Sequence, residues 1–589
     1  MSIIEEASLI QRGLQFLEQN DEKRAGLLLV WLLIVLVRWL VGLHSYSGQH
    51  TPPMFGDYEA QRHWMEITIN LPVSDWYFNT TSNDLLYWGL DYPPLTAYVS
   101  YIFGCVANVI EPSMVALTSS RGYESATSKV FMRTSVLLCD IVLFMPAIYC
   151  VAKAVYGSKN WNRRMAFFLL ILLQPAVLLI DHGHFQYNNV CLGFTALGVA
   201  LILQGYEFLG SICYCLALNF KQMALYYAPA FGIFLLSRCL YREMCILHLV
   251  KLTVGVIATF ALMWLPMCAY ASAENTCLST MVQGTLALKW PTLLYTVVTN
   301  LYGYPVLHRI FPFGRGLFED KVANFWCIAD FVIKIRQFVT PTLQMRLCTV
   351  MTFVGFTPSV IDLLRRKPTN LRFLLSLAVC SLSFFLFSFQ VHEKTILLPL
   401  LPISFLFAYN ALLSGWFSVL TTFRFARLQS MMCGRFCLTQ GLMSFCFCQH
   451  VFSPQERWSH SSVHRVTTSL HGCSCGSVPC TGYFEASTRA AKRAYTRLSA
   501  GWHRASVVSS LCHVQASNCT CMLQISLLGI VVIHSAQAWI TPPARYPHIH
   551  DYVFAVYSCG HFLLILAYLT YWQWIAETQE TQSMKTKKE

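Results

Sequence analysis

Residues 26–43 read GLLLVWLLIVLVRWLVGL, an apolar run that a single charged residue, Arg38, interrupts. A helix of about 20 apolar residues is long enough to cross a lipid bilayer. Similar runs recur along most of the 589-residue chain, which is 55% hydrophobic and only 12% charged, whereas soluble proteins are about 25% charged. Because hydrocarbon offers no partner to backbone polar groups, we predict an all-α polytopic membrane protein.

The apolar runs mark about a dozen candidate spans, which we expect to form one bundle. They cover residues 26–43, 94–110, 134–155, 165–180, 189–203, 209–220, 224–240, 247–270, 347–364, 373–389, 396–413, 523–540 and 553–574. The predicted domains are a cytosolic segment (1–25), a catalytic membrane core (26–420) with a luminal loop (44–93), an atypical segment (421–522), and C-terminal spans with a basic tail (523–589).

Basic side chains cluster in three loops between these spans: Lys153, Lys159, Arg163 and Arg164; Arg238, Arg242 and Lys251; and Arg365, Arg366 and Lys367. The positive-inside rule places such loops in the cytosol, so loop 44–93 is expected in the lumen. Asn79-Thr80-Thr81 in that loop is a glycosylation sequon, usable only on the luminal side. Lys585 and Lys587 match a dilysine retrieval signal of the endoplasmic reticulum, although a basic tail after a last span has a simpler topological reading.

The segment 421–522 departs from this pattern, since it is rich in Ser, His, Arg and Cys and carries no clean span. Ten of the 24 cysteines fall between Cys433 and Cys521. Their spacing is not that of a standard zinc site. A disordered loop, or a translated non-coding stretch, accounts better for the composition.

Two fragments of the luminal loop, GDYEAQRHW (56–64) and YWGLDYPP (87–94), combine carboxylates, an arginine, a histidine and several aromatic residues. Inverting transfer of a sugar from a phosphate requires a base for the acceptor hydroxyl and positive charge for the leaving phosphate. We therefore predict that Asp57 is the catalytic base, with Gly56 allowing close approach of the backbone. The alternative for Asp57 is a helix N-cap.

Glu59 lies two residues after Asp57, so the two carboxylates could form a loose D-x-E metal pair. The chain has no D-x-D, the usual metal motif for nucleotide sugars. We favour a site without a metal and expect no cofactor.

Asp91 precedes Tyr92-Pro93-Pro94 at the mouth of a span, where the prolines favour an extended approach and a helix start. Asp91 is predicted to orient the base, to bind sugar hydroxyls, or only to cap the span. The pool of cations that could hold a phosphate is Arg62, Arg121, Arg315, His392 and Lys394. Each of these, taken alone, could equally be a solvated or headgroup-facing charge.

Seven motifs together resemble the dolichyl-phosphate-glucose-dependent glucosyltransferases of asparagine-linked glycosylation. They are GDYEAQRHW (56–64), WYFN (76–79), LDYPPLTAY (90–98), RGYES (121–125), GHFQYN (183–188), FPFGRGLFEDKVAN (311–324) and QVHEK (390–394). The resemblance extends over roughly residues 27–413 and the last two spans.

The resemblance implies a GT-C type helical bundle in the endoplasmic reticulum membrane, with luminal loops, short interfacial helices and a luminal active site. It implies inverting, metal-independent transfer of glucose from dolichyl phosphate glucose, in α-1,3 linkage, onto a dolichyl pyrophosphate high-mannose oligosaccharide. The expected partners are the two substrates and the lipid of the endoplasmic reticulum membrane, and we expect no nucleic-acid partner. Asp57 is implied as the base, and the predicted substrate-binding residues are Glu59, Arg62, Asp91, Tyr92, Arg121, Arg315, Glu319, His392 and Lys394.

Within the family, the intact motifs at 56–63 and 317–321 favour the member that adds the first glucose over the paralogue that adds the second. A polytopic transporter is the alternative from another class, and it would depend on Asp140 and Lys221 more than on Asp57. Segments 271–304 and 421–522 depart from the family pattern, which leaves open whether they belong to the functional protein.

Overall fold

A computed structural model describes residues 9–158, 160–241, 244–269, 309–311, 322–389, 391–425, 516–544 and 549–586. Regular secondary structure in these ranges is helical, with one isolated bridge between Thr80 and Asn83. The chain divides into two compact units, residues 1–452 with 533–589, and residues 453–532. The predicted all-α class is confirmed.

The α-helices are α1 (Leu9–Gln19), α2 (Lys23–Gly42), α3 (Gly56–Asn70), α4 (Pro94–Ile110), α5 (Ala126–Cys139), α6 (Met145–Tyr156), α7 (Trp161–Leu172), α8 (Pro175–Leu178), α9 (Asn188–Leu203), α10 (Glu207–Phe220), α11 (Ala228–Leu240), α12 (Cys245–Ala269), α13 (Phe325–Ile333), α14 (Ile335–Phe338), α15 (Pro341–Arg365), α16 (Asn370–Phe387), α17 (Leu397–Phe405), α18 (Ala411–Phe425), α19 (Ala516–Trp539) and α20 (Ile549–Thr586). Short 3₁₀ segments lie at Val73–Asp75, Pro112–Met114, Gln222–Tyr227, Glu393–Ile396 and Leu406–Ala408, and π-helical segments at Asp140–Phe144 and Leu179–Phe185.

By length and composition, seven helical stretches in the described part of the chain can cross a membrane, or eight if one bent pair is counted as a span. The seven are Lys23–Gly42, Ala126–Tyr156, Gln222–Leu240, Cys245–Met267, Pro341–Arg365, Asn370–Phe387 and Ile549–Ala576. Shorter apolar helices, such as Asn188–Leu203 and Glu207–Phe220, lie at other predicted spans. The chain is therefore a multi-pass membrane protein.

Two predicted spans are broken, and proline marks the first of the two breaks. The span predicted at 165–180 consists of two helices, Trp161–Leu172 and Pro175–Phe185, bent by 51°. The continuous span predicted at 396–413 is wrong, because α17, which contains Pro402, ends at Phe405 and a new helix begins at Ala411. At the first break Pro175 begins the second helix, and proline lacks the N–H that would continue the helical ladder from the helix before it.

The predicted domain boundaries stay predictions. The boundary at 420 falls inside α18, and α19 begins before residue 523. Most of the atypical segment 421–522, and all of 271–304, lies outside the described residues.

Small residues allow the helices that carry the site to approach closely. A Cβ on Gly104 of α4 would lie 2.6 Å from a side-chain carbon of Ile69 and 3.0 Å from the Met65 carbonyl oxygen of α3. A Cβ on Gly198 of α9 would lie 2.9 Å from the carbonyl oxygen of Gly210 in α10. Close backbone approach at small residues is typical of packing between membrane helices.

Candidate active site

Two glycines shape the loop before α3, and this shape sets the position of Asp57. Gly48 has φ +79° and Gly56 has φ +69°. A Cβ on Gly48 would lie 2.1 Å from the Phe55 carbonyl oxygen, and a Cβ on Gly56 would lie 2.6 Å from that of Ser47. The N-cap position of α3 belongs to Phe55, so Asp57 lies in the first helical turn and is not the N-cap.

The Asp57 carboxylate accepts hydrogen bonds from two basic side chains. Nε2 of His184 lies 2.8 Å from Oδ2 of Asp57, and Nζ of Lys394 donates to the same oxygen. All three side chains keep 14–21% of their surface exposed. Burial alone would raise the pKa of Asp57, but the hydrogen bond from His184 and the charge of Lys394 hold this pKa well below its ordinary value. Asp57 is therefore an ionised carboxylate that solvent or substrate can reach.

Glu59 and Arg62 lie on a buried side of α3 and bind each other. Arg62 Nε donates to Glu59 Oε2 at 2.7 Å, and Nη2 donates to Glu59 Oε1 at 2.6 Å. The remaining donors of Arg62 contact Glu66 Oε2, Ser120 Oγ and the Met114 carbonyl oxygen. Because protein oxygens engage every N–H group of the guanidinium, we propose that this pair positions α3 and does not contact substrate.

This pairing also separates the two carboxylates of the D-x-E sequence. Glu59 accepts further hydrogen bonds from the Tyr87 hydroxyl at 2.9 Å and from the Gly122 N–H at 3.1 Å, whereas Asp57 contacts His184 and Lys394. In the described ranges no group of three or more His, Cys, Asp or Glu side chains is placed to hold a metal ion. Metal independence stays a prediction.

His184 is the site residue that the sequence reasoning missed as a functional group. It lies in the π-helical segment Leu179–Phe185, which ends at Phe185 with φ +88°. Arg133 donates to the carbonyl oxygens of His182 and Gly183, and the Ser47 N–H donates to that of His184 at 3.1 Å. A polar D-H-G-H run inside an apolar stretch, together with the frequent occurrence of π-helical turns at functional sites, is the signal that could have identified it.

Lys394 extends from the 3₁₀ segment Glu393–Ile396. His392 precedes this segment as its N-cap, and its Nδ1 accepts from the Lys394 backbone N–H at 3.3 Å. The His392 side chain is exposed. The two predicted phosphate ligands therefore lie at the same turn, and Lys394 contacts Asp57.

Asp91 and Tyr92 lie near a buried cation, Lys221. The Lys221 ammonium sits 4.6 Å from the centre of the Tyr92 ring and donates to Asn188 Oδ1 at 2.6 Å. Asp57, Asp91 and Asp181 are the carboxylates close enough to act electrostatically on this ammonium. Asp91 does not cap α4, because the N-cap position belongs to Pro93, in extended conformation with ψ 167°. The proline interpretation is confirmed.

The remaining predicted site residues fall in different places. Arg121 is exposed and lies over the Tyr87 ring, 4.5 Å from its centre. Arg315 and Glu319 lie outside the described residues.

A second polar cluster lies inside the helical bundle and supports the segment that carries His184. Asp140 accepts from Arg38 Nε at 2.7 Å, is 2.8 Å from His182 Nε2, and accepts from Asn189 Nδ2 at 3.1 Å. Asp181 accepts from the Asn188 side chain at 2.7 Å and from the Asn189 N–H at 2.6 Å. Arg38, Asp140 and Asp181 have no exposed surface. Arg38 and Asp181 therefore lie within the bundle and do not extend to its surface.

The fold and the site together define a class: a multi-pass, all-α membrane protein with an ionised, accessible carboxylate in the first turn of a helix between two spans. A family model described as the ALG6, ALG8 glycosyltransferase family matches residues 34–283 and 274–568. The chain belongs to this glycosyltransferase family.

Relatives over most of the chain agree with this assignment. A dolichyl pyrophosphate Man9GlcNAc2 alpha-1,3-glucosyltransferase of Gallus gallus is 38% identical over 93% of this chain and 96% of its own length. A probable enzyme of the same name from Arabidopsis thaliana is 35% identical over 95% of this chain and 92% of its own. The Saccharomyces cerevisiae enzyme of that name is 42% identical over 64% of this chain and 65% of its own.

Proposed function

We propose that this protein is an α-1,3-glucosyltransferase that adds glucose from dolichyl phosphate glucose to the dolichyl pyrophosphate-linked Man9GlcNAc2 oligosaccharide. Family membership and the names of the relatives support the reaction and the acceptor. The single structural observation that carries the proposal is the accessible, ionised Asp57, held between His184 and Lys394.

In the proposed reaction Asp57 accepts the proton of the mannose hydroxyl as its oxygen forms a bond to C1 of glucose. The bond between C1 and the phosphate oxygen breaks, and dolichyl phosphate leaves with the electron pair. A single base suffices because a phosphate is a good leaving group, and one in-line displacement inverts the configuration at C1. General base catalysis contributes on the order of 10²- to 10⁴-fold in rate.

Lys394 and His392 are the proposed ligands of the leaving phosphate. Both lie at the same 3₁₀ turn, and Lys394 already reaches Asp57. Charge-assisted hydrogen bonds to phosphate are about twice as strong as neutral ones. Tyr92 and Asp91 are proposed to contact sugar. Arg121 stays a predicted phosphate ligand, and for Arg315 and Glu319 a substrate contact stays a prediction.

The direct test replaces Asp57 with Asn, which keeps the shape of the side chain but removes its basicity. Transfer of labelled glucose in microsomes should fall by about 10²- to 10⁴-fold while the protein level holds. Asp75→Asn is the matched control, since Asp75 lies in the same luminal loop and accepts from the neighbouring Ser74 hydroxyl. Full transfer by D57N would remove Asp57 as the base, and a wild-type chain with no transfer at all would favour the transport alternative.

The choice between the two family reactions depends on the acceptor. Purified protein should glucosylate Man9GlcNAc2 on its lipid carrier and leave the oligosaccharide that already carries one glucose unchanged. The opposite preference would assign the chain to the second step.

A luminal site in the endoplasmic reticulum is part of the proposal, and Asn79 provides its test. Asn79 is exposed, and its sequon lies in the same loop as Asp57. A luminal loop predicts a mass decrease on endoglycosidase treatment that Asn79→Gln abolishes. Labelling of an Asn79→Cys side chain only by reagents applied to the cytosolic face would contradict the orientation.

A further inference from the structure

The two basic partners of Asp57 are held in different ways. His184 belongs to a segment whose backbone is fastened by Arg133 and Ser47. Lys394 reaches Asp57 through a flexible four-carbon side chain, and its Nζ donates to Asp57 and to no other side chain in the part of the chain that the structure describes. An ammonium group has three donors, so Lys394 can turn to a new acceptor without breaking other bonds.

A carboxylate paired with an ammonium group is a poor base, because protonation would forfeit the attraction between the two charges. The contact that holds Lys394 at Asp57 therefore opposes the chemistry that Asp57 is proposed to perform. A phosphate is the group that can draw Lys394 away, since it offers several anionic oxygens to the same ammonium.

Building on the proposed function, we propose that Lys394 exchanges partners during the reaction: it neutralises Asp57 in the free enzyme and moves to the phosphate of the glucose donor when the donor binds. His184 stays on Asp57 and keeps the carboxylate oriented. Loss of the Lys394 contact makes Asp57 more basic, so the acceptor hydroxyl is deprotonated only when a donor is present. Lys394 thus makes donor binding a condition for base catalysis.

The exchange predicts that loss of the Asp57 carboxylate strengthens donor binding while it abolishes catalysis. In Asp57→Asn no carboxylate competes for Lys394, so the full-length protein in lipid nanodiscs should bind a short-chain polyprenyl phosphate glucose on the order of tenfold more tightly. Lys394→Met should bind this donor more weakly, and adding D57N to it should give no further change. Lys153→Met, at an exposed position of α6, is the control with unchanged affinity.

The outcomes separate the two proposals. Transfer by D57N would overturn Asp57 as the base. An inactive D57N with wild-type donor affinity would overturn the exchange alone. So would an equal increase in donor affinity when D57N is added to Lys394→Met.

The exchange can also be tested on the wild-type protein, so this test does not depend on the folding of a variant. The groups that act on Asp57 are His184, Lys394 and Lys221, from three different elements. When Lys394 leaves, the pKa of Asp57 should rise. The kcat/KM for the acceptor, measured at saturating donor, should therefore begin to fall at a higher pH on acidification than the kcat/KM for the donor. The acid limb of kcat/KM for the donor, which reports the protein without donor, should lie at lower pH. Coincident limbs in the two profiles would contradict the exchange.

Discussion

Two clusters, each of an aspartate, a histidine and a basic side chain, are joined by the short segment that carries both histidines. Asp57, His184 and Lys394 form the open cluster, and Asp140, His182 and Arg38 form the sealed cluster. His182 and His184 are two residues apart, yet the sealed side chains are at most 2% exposed and the open ones 14–21%.

We infer from this difference that accessibility and the choice of cation separate the proposed reactive cluster from the buried one. Arginine is always charged, so it suits a fixed buried pair, and Arg38 binds Asp140 through Nε. Lysine is a compact charge on a flexible stem, so it suits a contact that must break. We propose that the sealed cluster holds the segment in place and that the open cluster contacts substrates.

The largest expected effect would break the sealed cluster. Asp140→Ala leaves Arg38 buried without its carboxylate, and this should lower the free energy of unfolding by about 3–5 kcal/mol. Asp57→Ala in the open cluster should cost less than this, because His184 and Lys394 keep 20% and 14% of their side-chain surface exposed and water can solvate them once the carboxylate is gone. Thermal unfolding of the full-length protein in detergent measures both.

The double variant Arg38→Met with Asp140→Ala should recover part of this loss, since it also removes the stranded charge. If Asp140→Ala and Asp57→Ala lowered the free energy of unfolding equally, the sealed pair would not be structural.

Glu66, a buried carboxylate outside both clusters, extends the comparison to acid pH. Burial would raise its pKa, but the hydrogen bond from His63 and the charge of Arg62 lower it from 4.5 to about 2. Because the folded pKa is depressed, the stabilisation is present above pH 4.5 and is lost as the pH falls towards 2. At 1.36 kcal/mol per pKa unit, it amounts to about 3 kcal/mol at most.

The measurement is the difference in unfolding free energy between the wild type and Glu66→Gln. This difference should be constant well above pH 4.5 and should shrink as the pH falls below 4.5, the ordinary pKa of the group. A difference that grows on acidification would have the wrong sign for this ion pair.

The smallest expected effect sharpens the role of His184. His184→Gln keeps an N–H donor for Asp57 but loses the imidazole, so kcat should fall by about tenfold, equivalent to about 1.4 kcal/mol. His182→Gln should instead lower stability, because this ring lies in the sealed cluster. A His184→Gln variant with wild-type kcat and an unchanged pH profile would show that His184 does not position the base.

Local signals in the sequence predicted the helices well. Apolar length predicted the spans, and the paired prolines before α4 predicted its extended approach and its start. Asp57 was predicted because its chemical type and its glycine neighbour are readable from adjacent residues. The break between α17 and α18 was missed, since apolar composition continues across it and only the hydrogen bonding around Pro402 and Asn410 distinguishes it.

The sequence by itself determined the membrane class, most of the helices, the family and the acidic residue at the centre of the site, because these depend on composition and on neighbouring residues. Only the tertiary structure decided which basic groups meet Asp57: His184 is 127 residues away along the chain and Lys394 is 337 residues away. It also decided that Arg62 faces the interior while Lys394 faces the site. Contacts over such separations depend on how the helices pack, and a one-dimensional pattern carries no record of that packing.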